Sequence, residues 1–392
     1  MQQADTQQVT PPQATPPQAT QPQVQERVPV LDLAPEIDAL WDEINGAIQD
    51  VLRSGQFIMG PAVRAFEEEV AAYLGTRHAV GVNSGTDALV IALRALGVGP
   101  GDEVVTTPFT FFATAEAVSG LGAEPVFVDV DPDTFNLDLD QAEAAVTPRT
   151  KALLPVHLFG RPVDMARLTG LAERHGLAVV EDCAQSFGAR YEGRMTGTIG
   201  ELGAYSFFPS KNLGAYGDGG LIATDDDALA EAARMLRTHG SKRKYYNEVC
   251  GYNSRLDALQ AAVLRVKLPR IEANNAGRRA VARRYNEALG GVEGLVVPEV
   301  VDGHVFHQYT VRVLGGRRDA VQAALKEEGI ETMIYYPVPC HRLPIYADRA
   351  WRLPVSEQLS REVLSLPIWP GMPEGVQGRV IDAVERACAG AG

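Results

Sequence analysis

The chain has 392 residues, of which 45% are hydrophobic and 22% charged, as is typical of a soluble globular protein long enough for two domains. Its 36 basic and 50 acidic residues give a net charge of −14, which argues against a general affinity for nucleic acid, because phosphate binding needs a basic face. The four cysteines form no Cys-x-x-Cys pair and the seven histidines show no metal-ligand spacing, so we expect no metal site. We also expect a cytoplasmic protein without membrane contact, since the sequence has neither a membrane-length apolar run nor a secretory signal pattern.

The N-terminal segment differs in composition from the rest of the chain. Residues 1–27 are rich in Gln, Pro and Thr, and the run at 11–15 is repeated at 16–20. Such a segment has too little apolar surface to offset the entropy lost on ordering, so we predict a disordered tail. Apolar residues then recur at helical spacing between Ile37 and Leu52, which predicts an amphipathic helix.

Between about residues 60 and 224, helices alternate with short apolar runs. This alternation predicts an α/β fold with a doubly wound, mostly parallel seven-stranded sheet. The strands are predicted at residues 78–82, 103–107, 125–129, 152–156, 177–181, 204–208 and 220–224. Intervening helices are predicted at 86–96 and 165–175.

After Asp225 the pattern changes to longer helices, predicted at 226–237 and 256–289. A smaller α+β unit follows, with predicted strands at 307–313 and 332–335 and predicted helices at 318–328 and 376–387. We therefore expect a large domain over residues 28–265, a small C-terminal domain over 266–392, and a cleft between them.

One lysine, Lys211, lies between an aromatic strand end at residues 205–208 and a glycine-rich turn that ends at Gly220. This places the lysine at the mouth of a buried element, where its amine is suited to forming an imine with a carbonyl cofactor. Taken alone, such a lysine is more often an ordinary surface residue.

Three further motifs follow predicted strands, where ligands of open parallel sheets bind. At residues 84–87 a strand runs into a helix whose start favours a phosphate, with Gly85 allowing close approach and Thr86 adding a hydroxyl, although an ordinary helix cap is the commoner explanation. Asp182 ends a β-branched run, where it is either a solvated acid or a partner for a protonated ring nitrogen. The aromatic cluster around Phe111 offers a flat face for a planar ring, although such clusters are more often core.

Together, these motifs supply the four parts of a pyridoxal 5′-phosphate site. The parts are a helix start that binds phosphate, an acid that pairs with the ring nitrogen, an aromatic face that stacks on the ring, and a lysine that forms an imine. Read in order over about residues 28–388, these motifs resemble the DegT/DnrJ/EryC1/StrS family of nucleotide-sugar aminotransferases, which has the fold type I architecture of aspartate aminotransferase. The resemblance implies that Lys211 forms the imine with the cofactor and that Asp182 pairs with the pyridine nitrogen. Other implied cofactor contacts are Gly85, Thr86, Asp87 through its backbone, Phe111, Gln185 and Ser206.

The family's Gly-Tyr-Asn-x-Arg signature stands here at residues 251–255. The resemblance implies a homodimer with shared active sites, in which Asn253 reaches the partner's phosphate and Arg255 lies near the partner's substrate. The loop from Tyr335 through Tyr346, which includes His341 and Arg342, is a weaker candidate for lining the sugar-nucleotide cleft, with His341 as its substrate-binding residue. This is based only on the composition of the loop, and a plain surface loop is about as common.

The resemblance implies transfer of an amino group from glutamate, through the cofactor, to a nucleotide-linked keto-sugar. The segments at 155–160 and 185–188 are most similar to members that aminate C3 of a 3-keto sugar, with C4 as the alternative. Amination of a keto-cyclitol and a non-catalytic regulatory role remain open. A dehydratase or deoxygenase is disfavoured, because those relatives carry histidine at the position of Lys211 or a cysteine cluster.

Overall fold

The computed structural model describes residues 27–347 and 349–390. The predicted N-terminal tail, apart from Arg27, lies outside these residues. Within the described ranges, no helix is both long and apolar enough to cross a membrane.

Helices and strands alternate through the first two thirds of the described chain. The helices are α1 (Ala34–Ser54), α2 (Pro61–Leu74), α3 (Gly85–Ala95), α4 (Ala113–Gly120), α5 (Leu139–Ala144), α6 (Met165–His175), α7 (Asp227–Leu236), α8 (Ala258–Lys267), α9 (Ile271–Leu289), α10 (Arg318–Glu327), α11 (Pro354–Glu362) and α12 (Glu374–Gly390). The strands are β1 (His78–Val82), β2 (Glu103–Thr106), β3 (Glu124–Phe127), β4 (Thr150–Leu154), β5 (Ala178–Asp182), β6 (Arg190–Tyr191), β7 (Arg194–Met195), β8 (Leu202–Ser206), β9 (Gly220–Thr224), β10 (Ser241–Arg243), β11 (Tyr246–Asn247), β12 (Leu295–Val296), β13 (Tyr309–Val313) and β14 (Val363–Leu366).

The main sheet has seven strands in the order β1-β9-β8-β5-β4-β2-β3. Strand β9 runs antiparallel to both of its neighbours, and the remaining pairs are parallel. The seven strands predicted from the sequence are all present, with bounds within about two residues, so the predicted α/β class and mostly parallel sheet are confirmed.

Helices cover both faces of this sheet. Val180 of β5 belongs to the same buried cluster as Leu89 of α3, whereas the adjacent Val179 packs with Leu168 of α6. Because successive side chains of a strand point to opposite faces, α3 and α6 lie on opposite sides of the sheet. Burial on both faces explains why these strands read as continuous apolar runs.

The C-terminal part is built on a second, antiparallel sheet of β12, β13 and β14. Its core lies between that sheet, the C-terminal half of α9, α10 and α12. Buried residues of this core include Tyr285, Tyr309, Val321, Trp369 and Val384. Val28 belongs to this same core, and its N–H donates to the Gly329 carbonyl at 2.9 Å. The first described residues therefore pack on the C-terminal unit.

Two predicted elements differ from the structure. The helix predicted over 256–289 is divided into α8 and α9 by a 3₁₀ turn, Leu268–Arg270, because Pro269 lacks the N–H that would continue the helix. The strand predicted at 332–335 is replaced by a single bridge between Met333 and Ser365, since β14 takes the place beside β13.

Close backbone approach makes Gly203 of β8 a sensitive position. A Cβ there would overlap the carbonyl oxygen and Cα of Gly197, which cannot move as a flexible side chain can. We expect Gly203→Ala to destabilise the fold by about 1–3 kcal/mol or more through overpacking. The matched control, Gly378→Ala in α12, has no atom within 4 Å of the added methyl group and should be neutral or stabilising by about 0.5–1 kcal/mol. Thermal unfolding measures both, and equal melting temperatures for the two variants would contradict this description of the sheet.

Candidate active site

A cavity of about 420 Å³ lies beyond the carboxyl ends of β5 and β8, where open parallel sheets bind ligands. The main sheet and its helices contribute residues at the starts of α3 and α4 and at or just after the ends of β5 and β8, namely Gly85, Thr86, Phe111, Thr114, Asp182, Gln185, Ser206 and Lys211. The C-terminal part contributes His307, Gln308, Tyr335 and Tyr336. A larger surface groove of about 660 Å³ includes none of the residues predicted for the site.

The loop that carries Lys211 folds back on the end of β8. The N–H of Lys211 donates to the Phe208 carbonyl at 2.8 Å, and the N–H of Ala215 donates to the Phe207 carbonyl at 2.8 Å. The lysine side chain is thereby held at the cavity. Burial of the amine lowers the pKa of Lys211 to about 8, although the charge of Asp182 acts in the opposite direction. The amine is therefore deprotonated far more readily than that of an ordinary lysine.

Asp182 is the last residue of β5 and its side chain is buried in the cavity wall. One carboxylate oxygen, Oδ2, accepts a hydrogen bond from Thr114 Oγ1 at 2.8 Å, and Oδ1 accepts one from the Ala184 N–H at 3.1 Å. Burial raises the pKa of Asp182, while these two donors and the charge of Lys211 act to lower it. The site thus offers a buried acceptor for a positively charged N–H group of a ligand.

The start of α3 forms one end of the cavity. Gly85 is required there, because a Cβ at this position would lie 2.6 Å from the Cβ of Ser206. Helix N-termini carry free N–H groups and a positive dipole end, which favour an anion such as phosphate. The Asp87 N–H is already used, since it donates to Ser84 Oγ at 3.1 Å. Gly85, Thr86 and Ser206 line the cavity as expected, whereas Asp87 does not.

Gln185 and Phe111 flank the space between Asp182 and the opening. Gln185 Oε1 accepts from the Phe159 N–H at 2.6 Å, and its Nε2 donates to Tyr336 Oη at 3.0 Å, so both ends of the amide are fixed. The Phe111 ring is 61% exposed, and its centroid lies 6.5 Å from that of Tyr336. An aromatic face left open toward a cavity fits a stacking partner better than it fits a core position.

Besides Asp87, three predicted site residues lie outside this wall. Asn253 is exposed, and Arg255 is partly buried but does not line the cavity. His341 is buried, with Nε2 3.1 Å from Glu357 Oε1, a carboxylate that also accepts from Arg342. The His341 ring is thus buried against this carboxylate and does not line the cavity, and its role in substrate binding stays a prediction.

The C-terminal side of the cavity was foreseen only in part, because the loop predicted to line the cleft includes Tyr335 and Tyr336 but not His307 or Gln308. His307 and Gln308 precede β13, and Tyr335 and Tyr336 follow the Met333 bridge. Nothing in the local sequence marks His307 and Gln308, since they reach the cavity only through packing of the C-terminal unit on the main sheet. Thr114 had a weak signal, as a polar residue that follows an aromatic run.

The residues present fit pyridoxal 5′-phosphate. A helix N-terminus with Ser206 suits its phosphate, the Asp182 carboxylate suits its ring nitrogen, Phe111 offers a face for its ring, and an amine of lowered pKa suits its carbonyl carbon.

Comparison with known proteins agrees with this geometry. The family model for the DegT/DnrJ/EryC1/StrS aminotransferase family matches residues 38–385. A pleiotropic regulatory protein of Geobacillus stearothermophilus is 51% identical over 364 residues, covering 91% of this chain and 97% of the relative. The UDP-N-acetyl-3-dehydro-alpha-D-glucosamine 3-aminotransferase of Acidithiobacillus ferrooxidans is 49% identical over 366 residues, covering 93% of this chain and 98% of the relative.

Among solved structures, S. venezuelae DesV in complex with a ketimine intermediate is similar, with a TM-score of 0.90 and 49% sequence identity. The match covers 92% of this chain and 98% of DesV. Fold, site geometry and sequence therefore agree, and the chain belongs to the DegT/DnrJ/EryC1/StrS aminotransferase family.

Proposed function

We propose that this protein is a pyridoxal 5′-phosphate-dependent aminotransferase that converts a nucleotide-linked keto-sugar to the amino sugar, with glutamate as the amino donor. The observation that carries the proposal is the presence of Lys211, with its lowered pKa, and the buried Asp182 carboxylate in one cavity. We place the reaction in the cytoplasm, in keeping with four cysteines that are all unpaired.

When bound, the cofactor supplies an electron-withdrawing ring that stabilises negative charge at the reacting carbon. Asp182 would hold the proton of the ring nitrogen, and the hydrogen bonds from Thr114 and from the Ala184 N–H favour the charged form of this carboxylate and orient it. The start of α3 and Ser206 would bind the phosphate, and Phe111 would stack on the ring. Lys211 takes a proton from the reacting carbon and returns it, which its pKa of about 8 allows near neutral pH.

The proposal assigns the amino group to C3 of a 3-keto sugar, in line with the 3-aminotransferase relative at 49% identity. Amination at C4 and amination of a keto-cyclitol are the catalytic alternatives. A regulatory role without catalysis is a further candidate, because the relative at 51% identity is named for regulation. Loss of the cofactor's absorbance near 400 nm on adding glutamate separates an enzyme from a regulator, and product NMR with keto-sugar nucleotides separates C3 from C4.

We further propose a homodimer in which Asn253 and Arg255 of one subunit complete the partner's site. Both residues lie outside the cavity of their own chain. Large apolar side chains at and just after α1 are also exposed, namely Trp41, Leu52, Phe57 and Ile58. Exposed apolar groups of this size on one segment support an interface.

Replacing the lysine tests its chemical role. Lys211→Ala should lower the rate of amino transfer by more than about 10³-fold, because imine exchange and proton transfer both depend on this amine. The control Lys326→Ala, at an exposed position of α10, should retain the wild-type rate. Steady-state kinetics measures both, and a Lys211→Ala enzyme with more than about a tenth of the wild-type rate refutes the assignment.

Replacing Asp182 tests whether its carboxylate keeps the cofactor ring electron-withdrawing. Asp182→Asn should lower the rate by about 10²-fold, corresponding to a two-unit change in the pKa of the ring nitrogen. Thr114→Val keeps the carboxylate and removes one hydrogen bond to it, so a smaller loss of about tenfold is expected. A near-normal rate for Asp182→Asn in single turnovers would mean that another group faces the ring nitrogen.

Shared sites can be tested by mixing two inactive variants. Lys211→Ala and Arg255→Ala subunits form heterodimers in which one site carries both changes and the other carries neither. Random mixing in equal amounts should restore about a quarter of wild-type activity, since half the dimers are mixed and each has one intact site. If subunit exchange is demonstrated by mass spectrometry and activity stays at background, Arg255 serves its own chain.

A further inference from the structure

His307 is brought to the cavity by a backbone connection between the two parts of the protein. Its N–H donates to the Phe159 carbonyl at 2.9 Å, and the Val305 N–H donates to the Gly160 carbonyl at 3.1 Å. Phe159 is also the residue whose N–H holds Gln185. The same loop therefore positions His307 and a residue beside Asp182, and the imidazole lines the cavity together with Lys211.

A chain of amides fixes which imidazole nitrogen carries the proton. Asn275 Nδ2 donates to the Phe187 carbonyl at 3.1 Å, so Asn275 Oδ1 is the acceptor for Asn212 Nδ2 at 2.7 Å. Asn212 Nδ2 also donates to the Val305 carbonyl at 3.2 Å. Asn212 must then present Oδ1 to His307 Nδ1, at 3.1 Å, and this nitrogen must donate.

The ring is neutral, with its lone pair on Nε2. Burial lowers the pKa of His307 well below the usual histidine value, and the charges of Lys211 and Arg278 lower it further. Within residues 27–347 and 349–390, no hydrogen bond involves Nε2, and this nitrogen is not among the buried polar atoms without a partner. His307 Nε2 is therefore a hydrogen-bond acceptor that faces the cavity.

Lys211 needs such an acceptor. In the proposed reaction its amine takes a proton and becomes an ammonium group with three N–H donors. In the described part of the chain, Lys211 Nζ has no hydrogen-bond or ion-pair partner of its own, and the Asp182 carboxylate acts on it as a charge. A partly buried ammonium without a protein acceptor is unfavourable, and a neutral imidazole nitrogen supplies one without taking the proton.

We propose that His307 is a positioning residue: its Nε2 accepts a hydrogen bond from the Lys211 amine whenever that amine is free, and so holds it at the reacting carbon. This inference rests on the proposed function. The proton itself travels only between the reacting carbon and Lys211, and His307 stays neutral throughout.

Two variants separate this role from a structural one. His307→Asn retains a donor near the Nδ1 position, and so the bond to Asn212, but has no group at the Nε2 position. His307→Gln places an amide oxygen near the Nε2 position. The matched control is His304→Gln in the same segment, because His304 is also buried but is absent from the cavity wall and bonds the Phe159 carbonyl through Nε2.

The first measurement does not depend on turnover. In enzyme loaded with pyridoxamine 5′-phosphate, which leaves Lys211 free, competitive acetylation at varied pH followed by mass spectrometry gives the pKa of Lys211. His307→Asn should lower this pKa by about one unit, because a hydrogen bond to the ammonium form is lost, and His307→Gln should restore most of the difference. His304→Gln should leave it unchanged. An unchanged pKa in a folded His307→Asn enzyme overturns the inference.

A second measurement uses glutamate alone in single turnovers. His307→Asn should slow the reaction by about 10²-fold with little change in the glutamate concentration at half-maximal rate, and His307→Gln should recover about tenfold. A His307→Asn rate within about threefold of wild type overturns the inference. If the wild type itself does not react with glutamate, the proposed function fails, and the acetylation experiment still decides whether His307 and Lys211 interact.

The tautomer gives an independent spectroscopic test. Nitrogen NMR of histidine-labelled holoenzyme, assigned through the signals lost in His307→Asn, should show a proton on Nδ1 and none on Nε2, unchanged from about pH 6 to 9. A proton on Nε2, or titration near the usual histidine pKa, overturns the inference.

Discussion

The site depends on a carboxylate and an amine that share one cavity. Burial acts on them in opposite directions, raising the pKa of Asp182 and lowering that of Lys211 to about 8, while their mutual attraction limits both shifts. The consequence is an acid that remains available for a positively charged ring nitrogen and an amine that exchanges protons near neutral pH. Thr114 and the Ala184 N–H orient the carboxylate, so the electrostatics are set by ordinary hydrogen bonds at a strand end.

A second buried carboxylate keeps that strand end in place. Glu181 accepts hydrogen bonds from His157 Nε2 and from the backbone N–H groups of Gly197, Ile199 and Gly200. Burial opposes its ionisation, but these donors outweigh burial and lower the pKa of Glu181. Glu181, His157 and Cys183 lie close enough to suggest metal ligands, yet the carboxylate is saturated with donors and His157 Nδ1 accepts from the Val163 N–H. The cluster therefore ties β5 to the loop that carries Phe159, which in turn holds Gln185 and His307.

The sequence predicted the features that depend on neighbouring residues in the chain, namely the strands of the main sheet and the site residues at their ends. The seven strands of the main sheet followed from short apolar runs, and Lys211, Asp182 and Thr86 were found because they follow such strands. Of the C-terminal contribution, the loop that begins at Tyr335 was predicted, whereas His307 and Gln308 were missed. His307 comes to Lys211 through tertiary packing between segments about a hundred residues apart. The same limit explains why the burial of His341 was not predicted. That burial depends on Glu357 of α11, a helix that was not predicted from the sequence. The break between α8 and α9, by contrast, could have been predicted from Pro269 in the sequence.

The central claim is that Lys211 is the residue that holds the cofactor. Borohydride reduction of the protein loaded with pyridoxal 5′-phosphate, followed by tandem mass spectrometry of its peptides, tests this most directly, because reduction converts the imine to a stable bond. The account predicts one pyridoxyl group per chain on the peptide that contains Lys211, and a large decrease in labelling when glutamate is added before reduction. Labelling spread over other lysines, or no labelling of Lys211, would contradict it.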